Sequence, residues 1–153
     1  MQRLLEDCAR ELGLRADKAA LHAAIRRFWA DAPLFEDVPA FFAACPVPVW
    51  VLTNNGARYV RENLRAHGLA PAGIVAGDMA RAYKPHRALF EKALALSECL
   101  PDEVLHIGDS VNSDIEGARG AGLDAVLVLR GTGEVPQGVR AVRSLPEALA
   151  LLA

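Results

Sequence analysis

Short apolar runs that alternate with amphipathic helical patterns predict an α/β fold, a three-layer Rossmann-like core with a mainly parallel sheet. The most informative run is Val104–Ile107, which is too short and too β-branched for a helix and is typical of a buried parallel strand. The predicted strands are Val47–Thr53, Gly73–Ala76, Val104–Ile107 and Asp124–Leu129, with a short strand at Val139–Val142 before a last helix.

The first third of the chain is helical. Apolar residues recur at helical spacing over residues 2–14, 17–29 and 35–44, so three helices are predicted ahead of the first strand. The loosest segment is 131–138, which contains Gly and Pro and is expected to be a surface loop.

Composition excludes several function classes. The length of 153 residues suits one domain, and 52% hydrophobic residues are enough for a core. A net charge of −2 gives no reason to expect a nucleic acid or an anionic membrane as partner. The three cysteines are scattered without metal-type spacing, no signal peptide is visible and no apolar run is long enough to span a bilayer. We therefore expect a cytoplasmic protein with reduced thiols.

Two acidic residues follow the strand Val104–Ile107. Asp109 comes directly after Gly108 at the carboxyl end of the strand, where open α/β sheets hold their ligands, and Asp114 lies five residues later in the first turn of a predicted helix. With no basic residue between them, the two carboxylates repel each other unless a cation lies there. Their oxygens suit Mg²⁺, which takes one or two carboxylates plus a substrate phosphate. The alternative is that Asp109 caps the helix and Asp114 is merely favourable near its amino end.

Two further segments place polar groups at the same sheet edge. The first strand ends in Thr53 and Asn54, whose hydroxyl and amide can hold an anion together with backbone N–H groups before the next helix. Lys84 lies just ahead of another predicted helix, with Pro85 in its first turn. Taken alone, the first segment is also typical of a polar turn, and Lys84 of a solvated surface charge. Asp78 is expected to be a turn residue, and His106 a satisfied, buried or half-buried imidazole.

This order of Thr, Lys and an acid pair resembles the haloacid dehalogenase-like hydrolases. The segments that carry the resemblance are Leu52–Asn54, Tyr83–Pro85 and Ile107–Gly122, and it covers roughly residues 35–153. The Gly-Asp-Ser form within the last segment resembles the phosphate-hydrolysing branch and not the dehalogenating one. The resemblance implies hydrolysis of a small phosphorylated metabolite with Mg²⁺ as cofactor.

The same resemblance assigns roles to individual residues. Thr53 and Lys84 would be catalytic, because Thr53 binds the transferring phosphoryl group and Lys84 neutralises it, with Asn54 as a further substrate-binding residue. Asp109 would bind Mg²⁺, and Asp114 would hold the waters of the metal or the metal itself. The resemblance also identifies residues 1–34 as the remnant of a partial helical cap at the N-terminus and residues 35–153 as the Rossmann-like core.

One part of the family pattern is missing. The chemistry of the family begins with a D-x-D motif after the first core strand, whose first Asp attacks phosphorus to form an aspartyl-phosphate and whose second is the general acid/base. The Asp residues ahead of Thr53 are Asp7, Asp17, Asp31 and Asp37. None of them follows a strand-like apolar run, so the nucleophile is absent.

Three explanations are open. The reading frame is truncated at its 5′ end, with Met1 an internal methionine, or the chain is a catalytically dead phosphate- and Mg²⁺-binding module, or another polypeptide supplies the strand. We favour the first, for which a D-x-D codon run in frame ahead of Met1 would be decisive. In all three cases the chain alone is expected to be inactive. In the resembling fold the absent strand lies between the Thr53 strand and the Asp109 strand, so the structure is expected to show a gap there or a non-native strand pairing.

Overall fold

Two α-helices form the first of two units into which the chain divides, with the boundary between Pro33 and Leu34. The structure, a computed structural model, describes residues 2–13 and 17–152. Helix α1 spans Gln2–Glu11 and helix α2 spans Lys18–Ala30. Residue 14, where the first predicted helix ends, lies outside the described residues. The assignment of residues 1–34 to a cap stays a prediction.

The amino end of α2 is set by Asp17. Its carboxylate accepts hydrogen bonds from the backbone N–H groups of Ala19 and Ala20, at 2.9 and 3.1 Å. These groups have no partner inside the helix, so an acidic cap stabilises the first turn.

The second unit alternates strands and helices. Its α-helices and strands, in chain order, are α3 (Asp37–Ala44), β1 (Trp50–Thr53), α4 (Ala57–Ala66), β2 (Gly73–Ala76), α5 (Gly77–Ala80), α6 (Arg87–Ser97), β3 (Leu105–Gly108), α7 (Gly117–Gly120), β4 (Asp124–Val128) and β5 (Ala141–Val142). Short 3₁₀ helices span Pro101–Glu103 and Pro146–Leu151, and a π-helical segment, Val111–Glu116, continues into α7.

The strands form two parallel sheets. β1 pairs with β2, and β3, β4 and β5 form the second sheet in that order. This confirms the α/β fold with a mainly parallel sheet. β1 and β3 are not hydrogen-bonded to each other, and a cavity of about 700 Å³ is lined by both of them. The sheet is therefore interrupted at the position where the family resemblance predicts a gap.

Two of the strands, β1 and β3, begin at residues other than the predicted ones. β2 has the predicted bounds, but β1 begins at Trp50 and not at Val47. Pro48 lacks a backbone N–H and cannot donate to a neighbouring strand, which delays regular pairing. β3 is shifted by one residue, to Leu105–Gly108, a difference of the size usual at element ends.

The core of this unit lies between α6, the π-helical segment and β4. Phe90 from α6, Ile115 from the π-helical segment and Leu127 from β4 are fully buried or nearly so and belong to one apolar cluster. This packing holds the helix that follows β3 against the sheet, and so fixes the residues of the β3–helix junction. Among residues 2–13 and 17–152, no helix is both long enough and apolar enough to cross a membrane.

Asp37 links α3 to the segment that follows β4 through hydrogen bonds. Nη2 of Arg130 lies 3.0 Å from each of its carboxylate oxygens, and the backbone N–H of Leu145 donates to Oδ2 at 2.9 Å. Burial raises the pKa of Asp37, but these hydrogen bonds and the arginine charge outweigh burial and lower the pKa overall. The Arg130 guanidinium also lies 4.0 Å from the centre of the Phe35 ring.

Candidate active site

Lys84 links the carboxyl ends of β1 and β3. The Asn54 side chain, directly after β1, accepts from the Lys84 backbone N–H at 2.6 Å and donates to its carbonyl at 3.2 Å. Lys84 Nζ donates to Asp114 Oδ1 at 2.6 Å. Because Asn54 follows β1 and Asp114 follows β3, both strands present their carboxyl ends to one site and run in the same direction.

Asp114 is the most constrained residue of the site. Its side chain is 3% exposed, and it accepts hydrogen bonds from Lys84 Nζ, from the Ser110 backbone N–H at 3.0 Å and from His106. Burial alone raises the pKa of Asp114, but hydrogen bonds from His106, Lys84 and Ser110 overcome that effect and hold the pKa well below its usual range. Asp114 is therefore a buried anion whose first function in this geometry is to hold Lys84.

Gly108 makes room for that anion. A Cβ at Gly108 would lie 2.2 Å from Asp114 Cγ and 2.5 Å from its Oδ2, distances that no real side chain tolerates. The glycine ahead of Asp109 is thus explained by the close approach of the Asp114 carboxylate to the strand.

His106 is a site residue that the sequence analysis did not assign to the site. Its Nε2 lies 3.1 Å from Asp114 Oδ1, and since a carboxylate oxygen only accepts, the imidazole donates. Its ring also packs edge-on against Phe90, with ring centroids 5.2 Å apart. The sequence does contain a signal for this assignment. Side chains alternate between the two faces of a strand, so His106 lies on the same face of β3 as Gly108, next to the site.

Thr53 and Asn54 play different parts. The Thr53 hydroxyl oxygen accepts from the Asn55 backbone N–H at 3.0 Å, which leaves its proton for donation to a ligand. The Asn54 amide uses both its oxygen and its nitrogen on the Lys84 backbone. In this geometry Asn54 positions Lys84, and its assignment to substrate binding stays a prediction.

The helix after Lys84 begins later than predicted. Pro85 does not lie in its first turn, because α6 starts at Arg87 and His86 is its cap. Nδ1 of His86 accepts from the Ala88 backbone N–H at 3.2 Å. His86 is favoured as the cap because its side chain accepts from a first-turn backbone N–H that has no partner inside the helix.

Asp78 lies in the short helix α5 and not in the expected turn. Its Oδ1 accepts from the Ala57 backbone N–H at 3.4 Å, at the amino end of α4. An acidic group at a helix amino end is favourable for the exposed N–H groups there.

Asp109 is exposed and directly follows β3. Within the described part of the chain, no three His, Cys, Asp or Glu side chains are grouped so that they could hold a metal ion. Mg²⁺ does not need such a cage, because it is commonly bound through one or two carboxylates, several waters and a substrate phosphate. The Asp109 carboxylate fits that donor set, whereas both oxygens of Asp114 already accept from protein donors. The assignment of both acids to the metal stays a prediction.

Comparisons with known proteins agree on one family. Residues 82–148 match the model of the HAD-hydrolase-like family. The chain is 31% identical to phosphoserine phosphatase from Thermus thermophilus over 137 residues, which are 85% of this chain and 55% of that protein. Its fold is similar to that of the magnesium-bound HAD-hydrolase YfnB from Bacillus subtilis, with a TM-score of 0.79, 25% identity and coverage of 94% and 66% of the two chains. The chain belongs to the haloacid dehalogenase-like hydrolases.

Dehalogenases share the fold as well. The L-2-haloacid dehalogenase from Xanthobacter autotrophicus superposes with a TM-score of 0.82 at 18% identity, over 99% of this chain and 73% of that one. The chain spans about half the length of the Thermus phosphatase. The cavity between β1 and β3 lies at the position where the resemblance to this family puts the strand that carries D-x-D.

Proposed function

We propose that this site hydrolyses phosphate monoesters of small metabolites with Mg²⁺, by way of an aspartyl-phosphate whose aspartate comes from outside residues 1–153. A carboxylate oxygen attacks phosphorus, and the P–O ester bond breaks as the alcohol leaves with a proton from the general acid, the second Asp of the D-x-D motif. Water then attacks the phosphorus of the acyl phosphate, so that inorganic phosphate leaves and the carboxylate returns. The similarity to a phosphoserine phosphatase supports a small phosphorylated substrate. A cytoplasmic location belongs to the same proposal.

The observation that carries the proposal is the ion pair between the partly buried Lys84 and the buried Asp114, at the meeting point of two strand ends. Lys84 is held from both sides, by Asn54 on its backbone and by Asp114 on its ammonium group. A cation that is fixed before the ligand arrives stabilises negative charge without reorganisation, which is how preorganised electrostatic catalysis works. A phosphoryl oxygen is the natural ligand of a lysine ammonium at such a position.

The other residues have complementary roles in the proposal. The Thr53 hydroxyl donates to a phosphoryl oxygen, and Asp109 holds the cation. Bound Mg²⁺ would neutralise phosphoryl charge and orient the ester. Asp114 and His106 act behind these groups, because they hold the Lys84 ammonium at a fixed place.

A phosphate- and Mg²⁺-binding module without turnover is the second candidate. It is favoured by the state of Asp114, the buried acid of the site, whose oxygens accept three hydrogen bonds and are not available to attack phosphorus. Thr53 and Lys84 stabilise charge but supply no carboxylate nucleophile. The two candidates differ in whether the site turns over once a carboxylate is supplied.

Binding and turnover test the proposal separately. Calorimetry of residues 1–153 should show phosphate binding that depends on Mg²⁺ and is lost in Asp109→Asn. The matched control is Asp102→Asn, which removes an exposed carboxylate at the opposite end of β3. Equal phosphate binding by Asp109→Asn and wild type would refute the metal assignment. Hydrolysis of p-nitrophenyl phosphate by residues 1–153 should be absent, and turnover abolished by Asp109→Ala would reveal a nucleophile within them.

A further inference from the structure

We propose that a second site, formed by α4 and the segment that leads into β2, binds a small organic anion with an apolar body, such as an alkyl carboxylate or an alkyl phosphonate. The site is a surface cavity of about 350 Å³, lined by Arg61, Leu64 and Arg65 of α4 and by residues 69–74. None of these residues belongs to the candidate active site, so the inference goes beyond the proposed function and does not rest on it.

The two arginines are the first argument. Arg61 and Arg65 lie four residues apart on α4, where two like charges on one helix face destabilise each other. Both are exposed, and their side chains have no hydrogen-bond or ion-pair partner among residues 2–13 and 17–152. The one acidic residue of α4, Glu62, is already engaged, because its Oε1 accepts from Arg58 Nε at 2.8 Å. Two unpaired guanidinium groups at this spacing can both donate to one carboxylate or phosphonate group.

The carboxyl end of α4 does not cancel their charge. A helix end of this kind contributes about half a negative charge, whereas the two guanidinium groups contribute two positive charges. The turn after the helix also satisfies carbonyl groups of the last turn, because the Leu69 N–H donates to the Leu64 carbonyl at 2.9 Å and the Gly68 N–H to the Arg65 carbonyl at 3.1 Å. The cavity therefore favours an anion over a cation.

The rest of the lining is apolar, which is the second argument. Leu64 is buried, and Leu69, Pro71 and Ile74 are half-buried. An inorganic anion would leave these side chains in contact with water. An aliphatic or aromatic body would cover them, and each CH₂ group that becomes buried strengthens binding by up to about fourfold. The combination of charge and apolar surface is typical of a site for an amphiphilic anion.

The dimensions favour a small molecule over a membrane or a protein partner. A volume of about 350 Å³ is at the lower end of the range for small-molecule pockets. The structure describes all of residues 57–74, and no large apolar side chain among them is strongly exposed. A membrane surface or a docking protein would require a contiguous apolar patch around the cavity.

The second site lies at the other end of β2 from the candidate active site. Gly73 and Ile74 begin β2, whereas Ala76 at its carboxyl end pairs with Thr53. Three residue steps along a strand separate these ends by about 10 Å. In addition, β2 contributes no residue to the lining of the cavity between β1 and β3. An occupant of that cavity is therefore not needed to form the second site.

Calorimetry without Mg²⁺ tests the inference, because phosphate binding at the candidate active site is expected to require the metal. The probes are hexanoate and hexylphosphonate, with acetate, hexanol and hexyltrimethylammonium as controls. We expect residues 1–153 to bind at least one of the two hexyl anions saturably and one to one. Acetate should bind about tenfold more weakly or worse, because its chain does not cover the apolar side chains. Hexanol and hexyltrimethylammonium should also bind about tenfold more weakly or worse, because they cannot pair with the arginines.

Arginine variants locate the binding. Arg61→Gln and Arg65→Gln should each weaken binding of the hexyl anion about tenfold, since each removes a charge-assisted hydrogen bond. The matched control is Arg3→Gln, which removes an exposed arginine of α1 that does not line the cavity and should bind as wild type does. All three variants should keep the wild-type midpoint of urea unfolding, because the replaced side chains are exposed.

Three results would each overturn the inference: no binding of either hexyl anion, equal binding by wild type and the double variant Arg61→Gln/Arg65→Gln, or binding of hexanol as tight as that of the anions. Arginine-dependent binding of a hexyl anion in a chain that shows no Mg²⁺-dependent phosphate binding would leave the inference standing and refute the proposed function.

Discussion

Replacing Gly108 by alanine should destabilise the second unit and displace Lys84. The added Cβ would lie 2.2 to 2.5 Å from three atoms of the Asp114 side chain. That side chain cannot turn away freely, because Lys84, His106 and the Ser110 N–H hold it. Overpacking of this kind costs about 1–3 kcal/mol. The alanine gains roughly 0.5–1 kcal/mol in backbone entropy, so the net loss should be about 1–2 kcal/mol.

Urea unfolding measures this effect. Gly108→Ala should lower the midpoint without changing the slope, since the fold is retained. Gly120→Ala is the matched control, because it lies in α7 with no heavy atom within 4 Å of the added Cβ. It should be neutral or stabilising by up to about 1 kcal/mol. Gly108→Ala should also weaken phosphate binding, whereas Gly120→Ala should not. If both variants unfold at the wild-type midpoint, the close approach of Asp114 to β3 is wrong.

Three further predictions follow from the same contacts. Because the folded pKa of Asp114 is depressed, its contribution to stability is complete above the unfolded value of about 3.9 and is lost as pH falls toward the folded value. Asp114→Asn should therefore lower the free energy of unfolding at pH 7 by about 3 kcal/mol. The variant should also lose less stability than wild type as the pH falls below 4, which urea unfolding at a series of pH values measures. With the missing carboxylate supplied, Lys84→Ala should reduce the hydrolysis rate by about 10²–10³, and Thr53→Ala should cost less because one neutral hydrogen bond is lost. Residues 1–153 without a strand partner should associate on size-exclusion chromatography, and a monomer with a sharp melt would refute the open-edge interpretation.

Local chemistry made much of the fold predictable. The apolar run Gly73–Ala76 becomes β2 with the predicted bounds, because a short buried run flanked by turn residues has few alternatives. Errors arise where a single residue overrides the pattern. Pro48 delays β1, and His86 instead of Pro85 sets the start of α6. The π-helical segment after Asp109 has no sequence signal that we could use, since it depends on how the helix packs.

The sequence predicted which residues form the site, but it did not predict the hydrogen bonds between them. Thr53, Lys84 and Asp109 follow strands or precede helices, and the parallel sheet brings such positions to one edge. The partnership of Lys84 with Asp114 joins residues 30 positions apart, and it depends on the relative placement of α6 and the π-helical segment. The hydrogen bond from His106 to Asp114 Oδ1 depends on which face of β3 the imidazole occupies. A shift of the strand register by one residue would move His106 to the opposite face.

The charges at the site explain why phosphate binding should require a cation. Lys84 carries one positive charge, which the buried Asp114 carboxylate already balances at 2.6 Å. With the exposed Asp109 carboxylate included, the three groups Lys84, Asp114 and Asp109 carry a net charge of −1, which repels a phosphate dianion. In the proposed function, a divalent cation at Asp109 would reverse the sign, from −1 to +1, and the fixed Lys84 ammonium would then add to the attraction for the phosphate. On this proposal the ion pair would serve mainly to fix the position of the lysine, and the metal would supply the net attraction. On this reasoning, Asp109→Asn should weaken Mg²⁺-dependent phosphate binding more than Thr53→Ala does, because it removes the group that recruits charge and not a single hydrogen bond.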